Sequence, residues 1–194
     1  MRIILVRHGL SEANISKFYS LEDTILHESG FSVLNNTRRN LEKYDIDEVY
    51  VSELKRSQQT AERLGYTDYI IDSRINELDF GEFKGKFFDD IRASEIEFIE
   101  KQKKDLFNLR YPGGESINDV IKRTSEFFEE KSRNNKNILC ISHGMAIKSS
   151  LFWLLKDKEN WERFWLENGS ITVFRIEEDR KIIESVNLLW NLST

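Results

Sequence analysis

Two histidines in this chain share a setting. His8, in LVRHGLSEAN, follows an apolar run and precedes a glycine, with Arg7 directly before it. His143, in NILCISHG, also follows an apolar run and precedes a glycine, Gly144. The chain of 194 residues has only three histidines, so a repeated context carries weight. Such an imidazole can be a buried structural group, a metal ligand or a catalytic group. Arginine cannot ligate a metal, and no third histidine or carboxylate has ligand spacing. Guanidinium forks do match phosphate oxygens. If the fold gathers Arg7, His8, Arg56 and His143, they make a phosphate pocket. Taken singly, each is more simply read as a structural residue; the paired His-Gly context with nearby arginines turns the balance.

The elements that would gather them can be read from pattern. RIILV is a buried strand rich in branched residues, ended by Gly9. GFSVLNNTRRNLEKY predicts a helix and DEVYVS a second strand. ELKRSQQTAERLG predicts the next helix, with Ser52 as N-cap and Gly65 as stop. DYIID reads as a third short strand. The segment from about 79 to 111 starts irregular and continues helical; its length suggests a lid or insertion. After Pro112, Ser116 and Asp119 suit a capping box. NILCIS predicts a strand, MAIKSSLFWLL a helix, and SITVFRI, EEDR and KIIESVNL a terminal hairpin. Strands alternating with helices imply an α/β protein: a three-layer α/β/α sandwich on a mostly parallel sheet. In such sheets ligands sit outside the carboxyl ends of the strands. His8, His143 and the Ser52–Arg56 region all fall at such ends, where helix N-termini favour anions.

Composition sets outer limits. The length suits a single domain spanning 1–194. The charged share is 32% and the hydrophobic share 39%, as in ordinary globular proteins. A net charge of −5 disfavours nucleic acid, so an anion site must be a local basic pocket. One cysteine, Cys140, excludes an internal disulfide. The N-terminal apolar run is too short for a signal peptide, and no stretch approaches a membrane span. The expectation is a cytoplasmic protein, monomer or homodimer, that binds neither nucleic acid nor membrane and needs no cofactor.

The ordered motifs RHG, SELKRSQQTA, NELDFGEFKG, PGGES and ISHG closely resemble the histidine phosphatase superfamily, in its phosphoglycerate mutase-like branch. The resemblance covers residues 1 to about 176. It implies an α/β/α fold without a metal. It implies that His8 is the nucleophile that becomes phosphorylated, and that Arg7, Arg56 and His143 hold the phosphoryl group. Asn14 matches a further phosphate contact, Gly144 belongs to the same substrate-binding set, and Glu77 matches the acid that protonates the leaving oxygen. Four positions depart from the pattern: Leu10, Glu53, Phe83 and Lys84 stand where other residues are usual. None is a catalytic group, and Leu10 and the Phe83 region are expected to border the leaving-group pocket.

The chemistry suits these residue types. A nucleophilic imidazole must be neutral with one nitrogen free. Neighbouring arginines lower its pKa, and a backbone carbonyl such as that of Gly9 can fix its tautomer. The same arginines can meet charge developing on the phosphoryl oxygens. Other residues read more plainly. His27 begins a helix, Cys140 is buried in its strand, Asn168-Gly169 makes a turn, and Trp153, Trp161 and Trp165 belong to the core. The favoured function is a metal-independent phosphomonoesterase acting on a small phosphorylated metabolite through phosphohistidine. The alternatives are phosphoglycerate mutase-type phosphoryl transfer and a phospholigand-binding module without turnover.

Overall fold

The structure is a computed structural model and describes residues 1–178 and 180–189. Among these residues β1 (Arg2–Arg7) leads into a short helix α1 (Glu12–Ser16). A 3-10 turn at Glu28–Gly30 opens α2 (Phe31–Leu41), then come β2 (Glu48–Val51), α3 (Lys55–Leu64) and β3 (Ile70–Ile71). The segment from 79 to 111 holds a 3-10 turn at Gly81–Phe83, α4 (Phe88–Ser94) and α5 (Ile96–Lys104). The chain continues with α6 (Ile117–Lys131), β4 (Ile138–Ser142), α7 (Gly144–Leu155), β5 (Ile171–Glu177) and β6 (Arg180–Leu188). Asp179, in the predicted hairpin turn, and residues 190–194 lie outside the described residues.

The strands form one sheet in the order β3-β2-β4-β1-β5-β6. β1, β2, β3 and β4 pair in parallel, while β5 pairs antiparallel with β1 and β6 antiparallel with β5. The period of two along a strand divides the side chains between faces. Ile3, Leu5, Ile138 and Cys140 join Phe127 and Phe128 of α6 and Ile147 and Leu151 of α7 in one core. Ile4, Val6, Leu139 and Ile141 join Leu34 and Leu41 of α2 and Ala61 and Leu64 of α3 in the other. This is the α/β/α layering that the sequence predicts. A third core lies under the 79–111 segment, where Phe83 and Ile91 pack with Tyr111 and Val120.

Three local expectations need correction. Ser52 does not cap α3: Leu54 holds the N-cap position without a side-chain bond, and Ser52 turns to other partners. Gly65 does end that helix, at φ 93°, a conformation glycine adopts without strain. Trp153 and Trp161 are buried, but Trp165 is 69% exposed. α7 stops at Leu155, so the three indoles do not share a helical face. The predicted helix to Tyr44 ends at Leu41. Helix α1 was not predicted; it has five residues, and Ser11 and Asn14 cap it reciprocally.

Candidate active site

The parallel pairing of β1 with β4 sets Arg7 opposite Ser142, so the next residues, His8 and His143, emerge side by side. The His8 N–H extends the ladder by donating to the Ser142 carbonyl at 2.8 Å. The two rings lie 5.0 Å apart, centroid to centroid. Gly9 then turns under α3, where its N–H donates to Thr60 Oγ1 at 3.0 Å. A Cβ on Gly9 would come within 2.7 Å of the Leu34 side chain, so a larger residue there would require Leu34 to shift.

His8 is 3% exposed, and its Nδ1 lies 2.7 Å from the Gly9 carbonyl. A carbonyl only accepts, so Nδ1 carries the proton and Nε2 the lone pair. Burial, and then the charges of Arg56 and Arg7, push the His8 pKa well below its ordinary value. The imidazole is therefore neutral at pH 7. Arg56, on the first turn of α3, is 2% exposed, and burial lowers its pKa to about 10, so it stays charged. Arg7 donates to the Leu166 carbonyl and Arg56 to the Leu21 carbonyl. Each guanidinium keeps a buried Nε with no hydrogen-bond partner among the described residues. A buried donor without a partner is costly, and an anion between the two arginines would satisfy both.

Arg7, His8, Asn14, Arg56 and Glu77 line one cleft of about 140 Å³. Asn14 Oδ1 accepts from the Ser11 hydroxyl at 2.8 Å and from Asn168 Nδ2 at 3.1 Å. Those bonds leave the Asn14 amide NH₂ as its group for a ligand. Gly144 is the first residue of α7, and a Cβ there would sit 3.6 Å from Arg7 Nε. The start of α7 thus lies beside the Arg7 guanidinium, and its Met145 N–H donates to Glu77 Oε1 at 3.1 Å. His143 is fully buried; its Nε2 lies 2.7 Å from Ser52 Oγ and 3.1 Å from Ser57 Oγ.

Glu77 is placed by a clamp. Its Oε1 accepts from the N–H groups of Leu78 at 3.0 Å and Met145 at 3.1 Å, which leaves Oε2 for a ligand. Arg123 of α6 holds the loop by donating to the carbonyls of Arg74, Asn76 and Glu77. The same guanidinium forks onto both Glu115 oxygens at 2.9 Å. The NELDFGEFKG and PGGES motifs meet here as well. A Cβ on Gly81 would come 2.0 Å from the Pro112 carbonyl, and one on Gly114 would come 2.2 Å from that of Asp79. Only glycines let the two backbones touch. Ser57 and Arg123 are site residues that sequence reading did not single out; Ser52, read there as a helix cap, and Asn168, read as part of a turn, join the site as well, and Asn168 donates to the His8 carbonyl at 3.1 Å. Among the described residues no three His, Cys, Asp or Glu side chains group as metal ligands.

A family model for the histidine phosphatase superfamily (branch 1) matches residues 3–189. The chain belongs to the histidine phosphatase superfamily. This histidine phosphatase is 28% identical to phosphoserine phosphatase 1 of Hydrogenobacter thermophilus, over 99% of this chain and 94% of that one. It is also 28% identical to a 2,3-bisphosphoglycerate-dependent phosphoglycerate mutase of Azorhizobium caulinodans, over 96% of this chain and 98% of that one. A solved Escherichia coli structure, described as a candidate α-ribazole-5′-phosphate phosphatase, superposes with a TM-score of 0.87 at 25% identity. That match covers 97% of this histidine phosphatase and 96% of the other chain.

Proposed function

We propose that this histidine phosphatase is a metal-independent phosphomonoesterase that passes the phosphoryl group of a small metabolite through His8. The observation that carries the reading is the 2.7 Å contact between His8 Nδ1 and the Gly9 carbonyl. It leaves Nε2 as a neutral nucleophile beside two arginines with unpartnered donors. In the first step Nε2 attacks phosphorus and the bond to the leaving oxygen breaks. Glu77 gives that oxygen a proton, while Arg7 and Arg56 meet the charge on the remaining oxygens. In the second step Glu77 takes a proton from water, the water oxygen bonds to phosphorus and the P–N bond breaks. The guanidinium charges supply what a metal ion supplies elsewhere. The chain is read as a cytoplasmic enzyme, monomeric or homodimeric.

Mutase-type transfer uses the same groups and differs only in the acceptor, an alcohol in place of water. Release of inorganic phosphate from p-nitrophenyl phosphate and a panel of phosphorylated metabolites, in EDTA, tests the reading. The expected result is turnover that EDTA leaves intact and His8→Ala abolishes. Phosphate binding without turnover would instead identify a phospholigand-binding module. Activity lost to EDTA and restored by a divalent ion would refute the metal-free mechanism.

A further inference from the structure

Ser52 has one hydroxyl proton and three polar neighbours. Its Oγ lies 2.8 Å from Asn76 Oδ1 and 2.7 Å from His143 Nε2, and it accepts from the Leu54 N–H at 3.2 Å. The Asn76 amide is oriented from its other side. Its Nδ2 donates to Glu53 Oε2 at 2.7 Å, and its Oδ1 accepts from the Glu53 N–H at 3.0 Å. An amide oxygen has no proton to give, so the Ser52 proton goes to Oδ1. The contact between Ser52 and His143 then contains a proton only if Nε2 donates it. Ser57 Oγ, at 3.1 Å, lies on the same nitrogen. His143 is buried and neutral, because burial, Arg56 and further positive groups push its pKa well down. A neutral ring with its proton on Nε2 has its lone pair on Nδ1, a buried nitrogen without a partner among the described residues.

The two histidines thus hold opposite tautomers, each set by a fixed neighbour. The charged and titratable groups facing His143 are Arg56 from α3, Arg7 and His8 at the end of β1, and Arg123 from α6. Glu53 reaches it through Asn76 and Ser52. A lone pair repels a phosphate dianion but accepts a proton from a P–OH group. We infer that Ser52 and Asn76 are positioning residues that keep the proton of His143 on Nε2, so that Nδ1 takes one proton from an incoming phosphate monoanion. The P–OH proton moves to Nδ1, the ester becomes a dianion, and His143 becomes an imidazolium that donates back to it. This rests on the reading that a phosphomonoester binds here. Glu53, one of the departures from the family pattern, anchors the relay in this chain.

Nitrogen-15 NMR of histidine-labelled protein tests the inference directly, since only three histidines contribute. The free protein should show His143 protonated on Nε2 and His8 on Nδ1. Ser52→Ala and, as a second variant, Asn76→Ala should move His143 towards the Nδ1–H form. Calorimetry with inorganic phosphate gives the second readout. Wild-type affinity should fall about tenfold per pH unit on the alkaline side, because one proton must accompany the ligand. In Ser52→Ala that slope should flatten. A free His143 protonated on Nδ1, or an alkaline slope equally steep in both proteins, would overturn the inference. Wild-type turnover of p-nitrophenyl phosphate is scored separately. Its absence would refute the phosphatase reading, while the tautomer is decided by NMR in either case.

Discussion

Arg123→Ala should both destabilise the fold and misplace Glu77. The guanidinium makes five hydrogen bonds, three to the carbonyls of Arg74, Asn76 and Glu77 and two to Glu115. Its side chain is 18% exposed, and that of Glu115 24%, so water replaces only part of what is lost. Removing one partner of a fully buried pair costs about 3–5 kcal/mol. The partial exposure here lowers that to about 2–4 kcal/mol, which for a chain of this size is about 5–15 °C in Tm. The freed carbonyls belong to the loop that aims Glu77 at Met145 and the cleft. A displacement of about 1 Å there costs on the order of 10²-fold in rate. Arg123→Lys should recover little, because an ammonium cannot fork onto Glu115 while reaching three carbonyls. Differential scanning calorimetry and kcat/KM on an alkyl phosphate, measured well below the variant's Tm, check both parts. A variant with wild-type Tm and wild-type kcat/KM would refute the clamp.

Glu77→Gln keeps the shape but cannot transfer a proton, so single-turnover release of an alkyl leaving group should slow about 10²–10⁴-fold. The burst from p-nitrophenyl phosphate should slow much less; equal losses would mean that Glu77 orients the pocket without donating. His8 and His143 have folded pKa values well below their unfolded value of about 6.5. Their contribution to stability is therefore complete above about pH 6.5 and falls as pH drops, because the unfolded chain binds protons that the folded one does not. Urea unfolding between pH 5 and 8 should show this slope, with a shallower one in His143→Ala; identical slopes would contradict the buried neutral state.

Much of the frame was legible because it depends on local pattern. The branched runs before His8 and His143 predicted strands, and parallel strands bring their ends to one edge. The Ser116 and Asp119 capping box and the Gly65 stop needed only nearby residues, and both appear. What could not be read depends on partners distant in sequence. Ser52 has the right chemistry for an N-cap, but tertiary contact with His143 and Asn76 competes for its hydroxyl, and Leu54 takes the position. Arg123 looks like an ordinary charged residue of α6 until the loop at Asn76–Glu77 folds against it. Helix α1 is too short for a periodic signal and is held by Ser11, Asn14 and Asn168. Trp165 followed helical spacing from Trp153, but α7 ends between them.

The central claim is that a phosphoryl group rests on His8. Rapid alkaline quenching during turnover of a phosphorus-32-labelled substrate, followed by peptide mapping, tests it most directly. An acid-labile, alkali-stable label should appear on the peptide containing His8 and be absent from His8→Ala. Steady turnover with no such label in the wild type, or a label on a serine or aspartate, would contradict it.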